Sequence, residues 1–513
     1  MMFVNEKLQE FERYIKNKKV ALIGLGVSNL PLIDYFADKG AQVTVFDKRS
    51  IDEIDKDILN KITTRCINFS FGEHNLISLI GFDLILRSPT CKPDIPELKA
   101  EEVRGAIVTS EIELVIEMCP GKVIGVTGSD GKTTTASLIH DMLKERGYEC
   151  YLGGNIGTPL FTKIGEMKPD CVTVLELSSF QLMGMQTSPE IAVITNISPN
   201  HLDIHSNYEE YIDCKKNIFR YQDENGKVVL NYDNEITRDF ASEAPGKVRY
   251  FSSKERLDNG VIYDNGVLKS CTDGVRMHIM TIDDAISIHG MHNYENICAA
   301  IAATEDLVDP YSQLRAITKF KGIEHRLELV KSINGVRWYN DSIGTSPSRT
   351  IAGLNSFKEK SVLIAGGYDK DLDYAPLAKP ILQKVSKLIL MGSTADKIET
   401  AVKDQIEKDF EELKENASIN PTIPSSAIKR EELPIYRCNT LEECVAKASE
   451  IANKNEVVLF SPASASFDMY KNFAERGEKF KNLVLELDKD NVMKLPIEDA
   501  FQEPIQENIQ EEN

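Results

Sequence analysis

Short apolar, β-branched runs recur along the chain. Most end in glycine or a polar cluster before a stretch of helical periodicity begins. Residues 19–23 lead into the turn Gly24-Leu25-Gly26, then a helical pattern over 30–39 and a second run over 42–47. Residues 83–87 are another such run. The arrangement returns at 123–126, with a helical pattern over 136–143, and the runs at 172–175 and 191–194 again finish in polar residues. Residues 208–219 have helical spacing. Further along, 336–341, 361–365, 387–392 and 456–460 read as strands, with a helix over 349–354. Apolar strands alternating with helices predict parallel sheets covered on both faces, an α/β chain throughout.

The alternation falls into three blocks, residues 1–118, 119–322 and 323–487 of the 513. That agrees with roughly 150 residues per domain. Residues 403–433 are rich in charge, proline and serine and are expected to form an inserted helix plus loop. Residues 488–513 are acidic and poor in apolar side chains, and a disordered tail is expected there.

Composition narrows the classes. With 42% apolar residues the chain can bury full cores. No run approaches the ~20 apolar residues of a membrane span, and the first residues are charged, without the apolar core of a signal peptide. A cytoplasmic protein is expected. A formal charge of −20 argues against a nucleic-acid partner but not against small anions, which need only local positive charge. Ten cysteines are scattered without a Cys-x-x-Cys pair, as suits reduced thiols and no zinc site.

The candidate chemistry centres on Thr127-Gly128-Ser129-Asp130-Gly131-Lys132-Thr133, with Thr134 following. A strand, a glycine-rich turn and a helix beginning Lys-Thr form a phosphate cradle: backbone N–H groups face the oxygens, the lysine adds charge, and the hydroxyl suits Mg²⁺. The strict Walker spacing would need glycine at Val126, so this is a shorter relative. Glu176 interrupts one later strand and His201 sits in the loop after another, and they could converge on the cradle as metal ligands, since ligands bind at the carboxyl ends of parallel strands. A salt-bridged carboxylate and a satisfied loop histidine are the plainer readings. Lys215 and Lys216 read, from pattern alone, as a solvated helix face. Asn293 and Asn296 share a helix face and could read a base, although capping is the simpler role for Asn293. In the first block Gly24-x-Gly26 lacks the third glycine of a dinucleotide fingerprint, because position 29 is asparagine. Asp47 falls where a ribose contact would sit.

Nine segments occur in the order found in the Mur ligases, ATP-dependent amide-forming enzymes, and the chain resembles that family over roughly residues 18–485. They are the phosphate loop, Gly154-Asn155-Ile156-Gly157, residues 175–181, residues 200–203, residues 290–293, His325-Arg326, residues 338–342, Gly366-Gly367 with Lys370, and residues 461–466. The resemblance is strongest to the branch that adds D-glutamate to UDP-N-acetylmuramoyl-L-alanine. It implies a Rossmann-like N-terminal domain for the UDP moiety, a P-loop-type central domain for ATP, and a Rossmann-like C-terminal domain for ATP and the amino acid. By position, Ser28, Asp47, Arg49 and Ser88 would meet the uridine diphosphate, and Asn155 and Ser178 the muramoyl-alanine end. Lys132 would hold the β- and γ-phosphates and Thr133 one Mg²⁺; Glu176 and His201 would hold a second. Asn293 and Asn296 would approach adenine, Arg326 and Asp341 the ribose and phosphate. Lys215, with Lys216 as rival, would be carbamylated. Thr345, Lys370, Ser466 and Phe473 would receive D-glutamate. A monomer is expected. There are two departures: Ile343 where many D-glutamate adders have lysine, and Thr90 where glycine commonly follows Ser-Pro. The Asp-Asn-Pro-Arg motif of diamino-acid adders is not found.

Overall fold

The computed structural model describes residues 3–199, 205–281, 288, 290–419 and 432–493. It divides into two compact units, Met1–Lys321 and Gly322–Asn513.

The first unit holds two sheets. Strands β1 (Lys19–Ile23), β2 (Gln42–Asp47), β3 (Asn68–Phe71), β4 (Leu84–Arg87) and β5 (Ile107–Thr109) form a sheet of order β3-β2-β1-β4-β5. Every pairing in it is parallel. The order reverses at β1, so the turn after Ile23 opens into the crevice where such sheets bind ligands. Asn29, at the missing third glycine, is buried and donates from Nδ2 to Ile23 O at 2.8 Å, closing the strand end.

The second sheet contains β6 (Lys122–Thr127), β7 (Cys150–Gly154), β8 (Val172–Glu176), β9 (Ile191–Ile194), β10 (Lys227–Asn231), β11 (Lys247–Ser252), β12 (Gly260–Asp264), β13 (Val267–Thr272) and β14 (Val275–Thr281). Its order is β14-β13-β12-β11-β10-β9-β6-β8-β7. β6 is central and parallel to β8 and β9. The helix Lys132–Arg146 crosses from it and buries Ala136, Leu138, Ile139, Met142 and Leu143. It starts after Gly131 and stops at Gly147, both left-handed.

The antiparallel hairpins β12–β13–β14 have no counterpart in the sequence reading. Their turns are Asn265-Gly266 and Asp273-Gly274, all four residues at positive φ. That is the punctuation of two-residue hairpin loops. The two sheets' coverings share a core: Tyr35 and Phe36, from the helix after β1, pack edge-on and stacked against Phe161, with ring centroids at 5.0 and 6.5 Å.

The second unit is a six-stranded sheet, β15 (Glu328–Ile333), β16 (Val336–Asn340), β17 (Ser361–Ala365), β18 (Val385–Leu390), β19 (Ile435–Arg437) and β20 (Val457–Phe460), in the order β15-β16-β20-β17-β18-β19. Only β15 runs antiparallel to its neighbour. These parallel-rich sheets match the expected α/β class. In the stretch expected to be an inserted helix plus loop, 403–433, a helix is present, but it runs Ala395–Ile419. It buries Ala395, Ile398 and Val402 in the core, so it begins as the crossover after β18. Residues 420–431 of the expected loop lie outside the described residues. One boundary is corrected: the last helix spans Phe473–Met493, so 488–493 are helical rather than part of a disordered tail. No glycine or proline interrupts the sequence between Gly477 and Pro496, so nothing in it breaks the helix before Met493. Among the described residues no helix is long and apolar enough to cross a membrane.

Candidate active site

The turn after β6 is built by glycine. Gly128 has φ +145°, and a Cβ there would lie 1.9 Å from Thr195 Oγ1. Gly131 has φ +82°, and its Cβ would fall 2.2 Å from Asn296 Oδ1. The segment after β9 pins the loop: Ser129 N donates to Asn196 O (2.8 Å), Asp130 N to Asn196 Oδ1 (3.0 Å), and Ser129 Oγ to Ser198 O (2.9 Å). Tyr211 OH meets Ser129 Oγ at 2.9 Å. Lys132 Nζ turns back onto the carbonyls of Gly128 and Ser129, 2.9 Å from each. Thr133 is half-buried and Thr134 buried at the helix start. An alanine at Gly128 has no room. The Gly128→Ala variant is expected to lose about 10²-fold in kcat/KM for ATP, the cost of displacing a positioned group by an ångström. Nucleotide-dependent turnover equal to wild type would contradict this reading of the cradle.

Glu176 ends β8 in register with Val126 on one side and Gly154 on the other. It is 2% exposed, and Oε1 accepts from Asn155 Nδ2 at 2.9 Å. Oε2 is buried without a hydrogen-bond partner among the described residues. The salt-bridged reading of Glu176 therefore does not hold among those residues. Lys215, in the helix Tyr208–Arg220, is 1% exposed and sits beneath the loop. Its Nζ donates to Gly128 O (3.0 Å) and Thr127 Oγ1 (3.2 Å) and lies 4.9 Å over the Tyr211 ring. Burial, reinforced by the charge of Lys132, pushes the Lys215 amine well below the usual lysine range. Its solvated-face reading is thus corrected, because Thr127 and Gly128, which take its amine, are distant in sequence. Lys216 points elsewhere, pairing with Glu243 at 2.6 Å.

His201 lies outside the described residues. His205 is a packed structural residue, Nε2 3.0 Å from Ser179 Oγ and stacked on Phe180. Ser178 caps the short helix Ser179–Leu182 in a box with Gln181. Asn296 is buried against the phosphate-loop helix, accepting from Thr135 Oγ1 at 3.3 Å, and its Nδ2 reaches Asn293 Oδ1 at 3.5 Å. The helix that carries both begins at Gly290, so Asn293 is not its cap.

In the first sheet, Asp47 organises the turn after β1. Its carboxylate accepts from Leu25 N (2.8 Å), Arg49 N (3.0 Å) and Arg49 Nε (2.9 Å). Against the effect of burial, these donors and the Arg49 charge hold its carboxyl at about 2. Ser88 packs on Gly24, and its hydroxyl meets Thr90 Oγ1 at 3.1 Å, so the departure at 90 partners a predicted site residue. Ser28 is half-buried and lines a small cavity with Arg87, Ser110 and Gln181. Arg87 is buried and donates to Met183 O and to Cys91 O, tying the first sheet to the segment after Ser178.

In the second unit, Arg326 is presented between two left-handed non-glycine residues, His325 (φ 62°) and Leu327 (φ 45°). Such backbone strain gathers at functional sites. Asp341 follows β16 and is buried; Oδ2 accepts from Ser461 Oγ (2.6 Å) and Oδ1 from Leu327 N (3.3 Å). Burial pushes its carboxyl up to about 6. A raised folded pKa gives a contribution fully present below the unfolded value near 4 and lost as pH rises through about 6. Between those limits the last unit is expected to lose roughly 3 kcal/mol that the Asp341→Asn variant does not lose. Parallel unfolding curves of the two across that range would refute it.

Thr345 is half-buried in the loop after Asp341, Ser466 is buried in the loop after β20, and Lys370 lies 5.2 Å over the Phe467 ring. Phe473 O accepts from Ser342 Oγ at 2.7 Å. Arg476, which the sequence reading missed, is 1% exposed and bolts these loops together. Nε donates to Ser342 Oγ (3.1 Å), Nη2 to Ser342 O (2.9 Å) and Ser464 O (3.1 Å), and Nη1 to Ala465 O (2.8 Å).

A model of the Mur ligase MurD-like N-terminal domain matches residues 18–110, one of the Mur ligase middle domain residues 126–304, and one of the Mur ligase glutamate ligase domain residues 325–464. The UDP-N-acetylmuramoylalanine–D-glutamate ligase of Acetivibrio thermocellus is 49% identical over 482 residues, 94% of this chain and 99% of that one. The chain belongs to the Mur ligase family. The ligase of the same name from Ruminiclostridium cellulolyticum is 47% identical over 482 residues, 94% of this chain and 99% of its own. Among solved structures, the UDP-N-acetylmuramate–alanine ligase MurC of Thermotoga maritima shares the fold at TM-score 0.53 and 17% identity, covering 92% of this chain and 100% of its own. Within the family frame, the buried Arg87 and Arg476 are the additions that geometry makes to the motif-derived residues. Their signal was weak, since single arginines at a strand end and in a charged helix look like surface groups.

Proposed function

We propose that the chain is an ATP-dependent ligase that adds D-glutamate to UDP-N-acetylmuramoyl-L-alanine in peptidoglycan precursor synthesis. It is an enzyme of the family in which relatives nearly half identical over almost their whole length carry that name. The observation that carries the mechanism is the buried pair beneath the phosphate loop, Glu176 with an oxygen that has no hydrogen-bond partner among the described residues and Lys215 with its amine against Gly128 O.

These residues fit a divalent cation. A buried carboxylate oxygen without a donor needs a positive partner, and the loop above it is shaped for phosphate. Thr133 would hold one Mg²⁺, and Glu176 and His201 a second, with Lys215 as a carbamate completing that set. Mg²⁺ held there would neutralise phosphate charge as a Lewis acid. Lys215 acts as a carbamate: its uncharged amine nitrogen adds to the carbon of CO₂ and loses a proton, converting a buried cation into an anion. Lys132 leaves its own loop carbonyls for the β- and γ-phosphates. Asn155 orients Glu176. Asn293 and Asn296 approach adenine, and Arg326 and Asp341 the ribose and phosphate.

The chemistry runs in two steps. The alanine carboxylate attacks the γ-phosphorus, and the β–γ bridging bond breaks to give ADP and an acyl phosphate. The D-glutamate amine then attacks the acyl carbon, losing a proton, and inorganic phosphate departs. Residues 1–118 hold the UDP moiety through Ser28, Asp47, Arg49 and Ser88, with Asn155 and Ser178 at the muramoyl-alanine end. Residues 119–322 hold ATP, and 323–487 hold the amino acid through Thr345, Lys370, Ser466 and Phe473. The enzyme works in the cytoplasm as a monomer.

The test is phosphate release from ATP with UDP-N-acetylmuramoyl-L-alanine, scanning D-glutamate, L-glutamate, L-alanine and a diamino acid. Release with D-glutamate alone, and a product heavier by a glutamyl residue, is expected. Release with another amino acid instead would move the specificity, and no release with any would end the ligase reading.

A further inference from the structure

The following rests on the D-glutamate reading above. That amino acid carries two carboxylates, and each needs charged or multiple donors to leave water. The strand-end loops of the second unit offer Lys370 as one cation. The loop after Asp341, residues 342–346, contains no cationic residue of its own. Arg476 lies beneath these loops, and its fork is spent on Ser342, Ser464 and Ala465, where it serves as scaffold.

The fold brings one more cation to this loop. Arg349 stands in the first turn of the helix Pro347–Asn355. Its side chain folds back toward the strand end, and Nη1 donates to Ile343 O at 3.1 Å. The same carbonyl takes Thr345 N at 2.8 Å, so Arg349 and the predicted ligand Thr345 meet at one backbone atom. Arg349 is exposed. Its charge, with that of Arg326, acts on the Asp341 carboxyl, which places it within electrostatic reach of the strand end.

An arginine side chain offers five donors in a rigid plane and binds carboxylates through paired N–H bonds. The bond to Ile343 O holds Nη1 of that fork at the loop. Ile343, half-buried and apolar, leaves the positive charge here to a residue six positions further on, in the first turn of the next helix.

We propose that Arg349 binds one carboxylate of the incoming D-glutamate, as the second cation beside Lys370, and so sets the preference for a dicarboxylic amino acid. Loss of a charged hydrogen-bonding partner in a substrate site acts on recognition of the group it held. Positions 343 and 349 are therefore interchangeable carriers of one charge.

The experiment is steady-state kinetics on the full chain as wild type, Arg349→Gln, Arg349→Lys, and Arg349→Gln combined with Ile343→Lys. Arg349→Gln is expected to raise KM for D-glutamate about 10- to 100-fold, the worth of a charged hydrogen-bonded contact. KM for ATP and for the UDP-linked substrate is expected to stay within about twofold, because the residues assigned to them above do not include Arg349. Melting temperature stays at the wild-type value, and Arg349→Lys recovers part of the loss. Ile343→Lys in the Arg349→Gln background lowers KM for D-glutamate again, which a purely structural arginine would not permit. Wild type that ligates D-glutamate, together with an Arg349→Gln variant of unchanged KM for it, overturns the inference alone. Wild type that ligates no D-glutamate overturns the underlying reading as well.

Discussion

Lys215→Ala is expected to lower ligation about 10²- to 10³-fold in kcat, the usual cost of removing one preorganised group that stabilises developing charge. The amine lies 3.0 Å from Gly128 O and is stripped of solvent, so its protonated form is disfavoured. A neutral amine is the form that captures CO₂. The carbamate proposed above would supply a negative charge under the phosphate loop. Short carboxylates such as acetate fit the space left by alanine and are expected to restore part of the rate. Isotope-labelled bicarbonate should mark the wild type and leave the variant unmarked. Lys216→Ala is the internal comparison, since that side chain pairs with Glu243 away from the loop. A Lys215→Ala enzyme at full rate without added carboxylate would remove Lys215 from the mechanism.

The second large effect is on stability. Arg476→Ala is expected to cost the last unit roughly 3–5 kcal/mol, as expected when a buried charged partner is deleted. Four hydrogen bonds go at once, and the oxygens of Ser342, Ser464 and Ala465 are left in a dry interior. Burial already pulls the guanidinium down to about 10, which measures how far it is withdrawn from water. Because Ser342 also donates to Phe473 O, the loops on both sides of the proposed amino-acid site are expected to loosen together. Arg476→Lys keeps the charge but not the fork and should fall between the two. Denaturant unfolding of the variants reads the difference. A loss below about 1 kcal/mol for alanine would show that water satisfies these carbonyls and the bolt is dispensable.

The phosphate cradle was legible because its logic is local. Strand, glycines, lysine and hydroxyl follow one another within a dozen residues, and the geometry of Gly128 and Gly131 repeats that order in space. The α/β class was legible for the same reason, since apolar runs and helical spacing are properties of short windows. Lys215 was not legible from pattern. Two adjacent lysines in a charged helix look solvated, and only Thr127, Gly128 and Tyr211 bury one of them; the family resemblance, not the spacing, singled it out. Arg476 escaped notice because its carbonyl partners at Ser342 lie 134 positions away. The hairpins from β12 to β14 were missed although Asn265-Gly266 and Asp273-Gly274 marked both turns. Their strands carry lysine, arginine and aspartate, which masks alternation on an edge.

The glycines of the cradle also bear on how this protein can change over generations. At Gly128, Gly131 and Gly154 any side chain would begin within 2.2 Å of a neighbouring oxygen, so no single codon change there leaves the pocket intact. At 343 and 349, by contrast, one charge has two addresses. A compound whose grip depends on the space kept open by those three glycines meets a wall the cell cannot rebuild in one step. A compound that copies the amino acid meets a surface that can be rewritten in pairs.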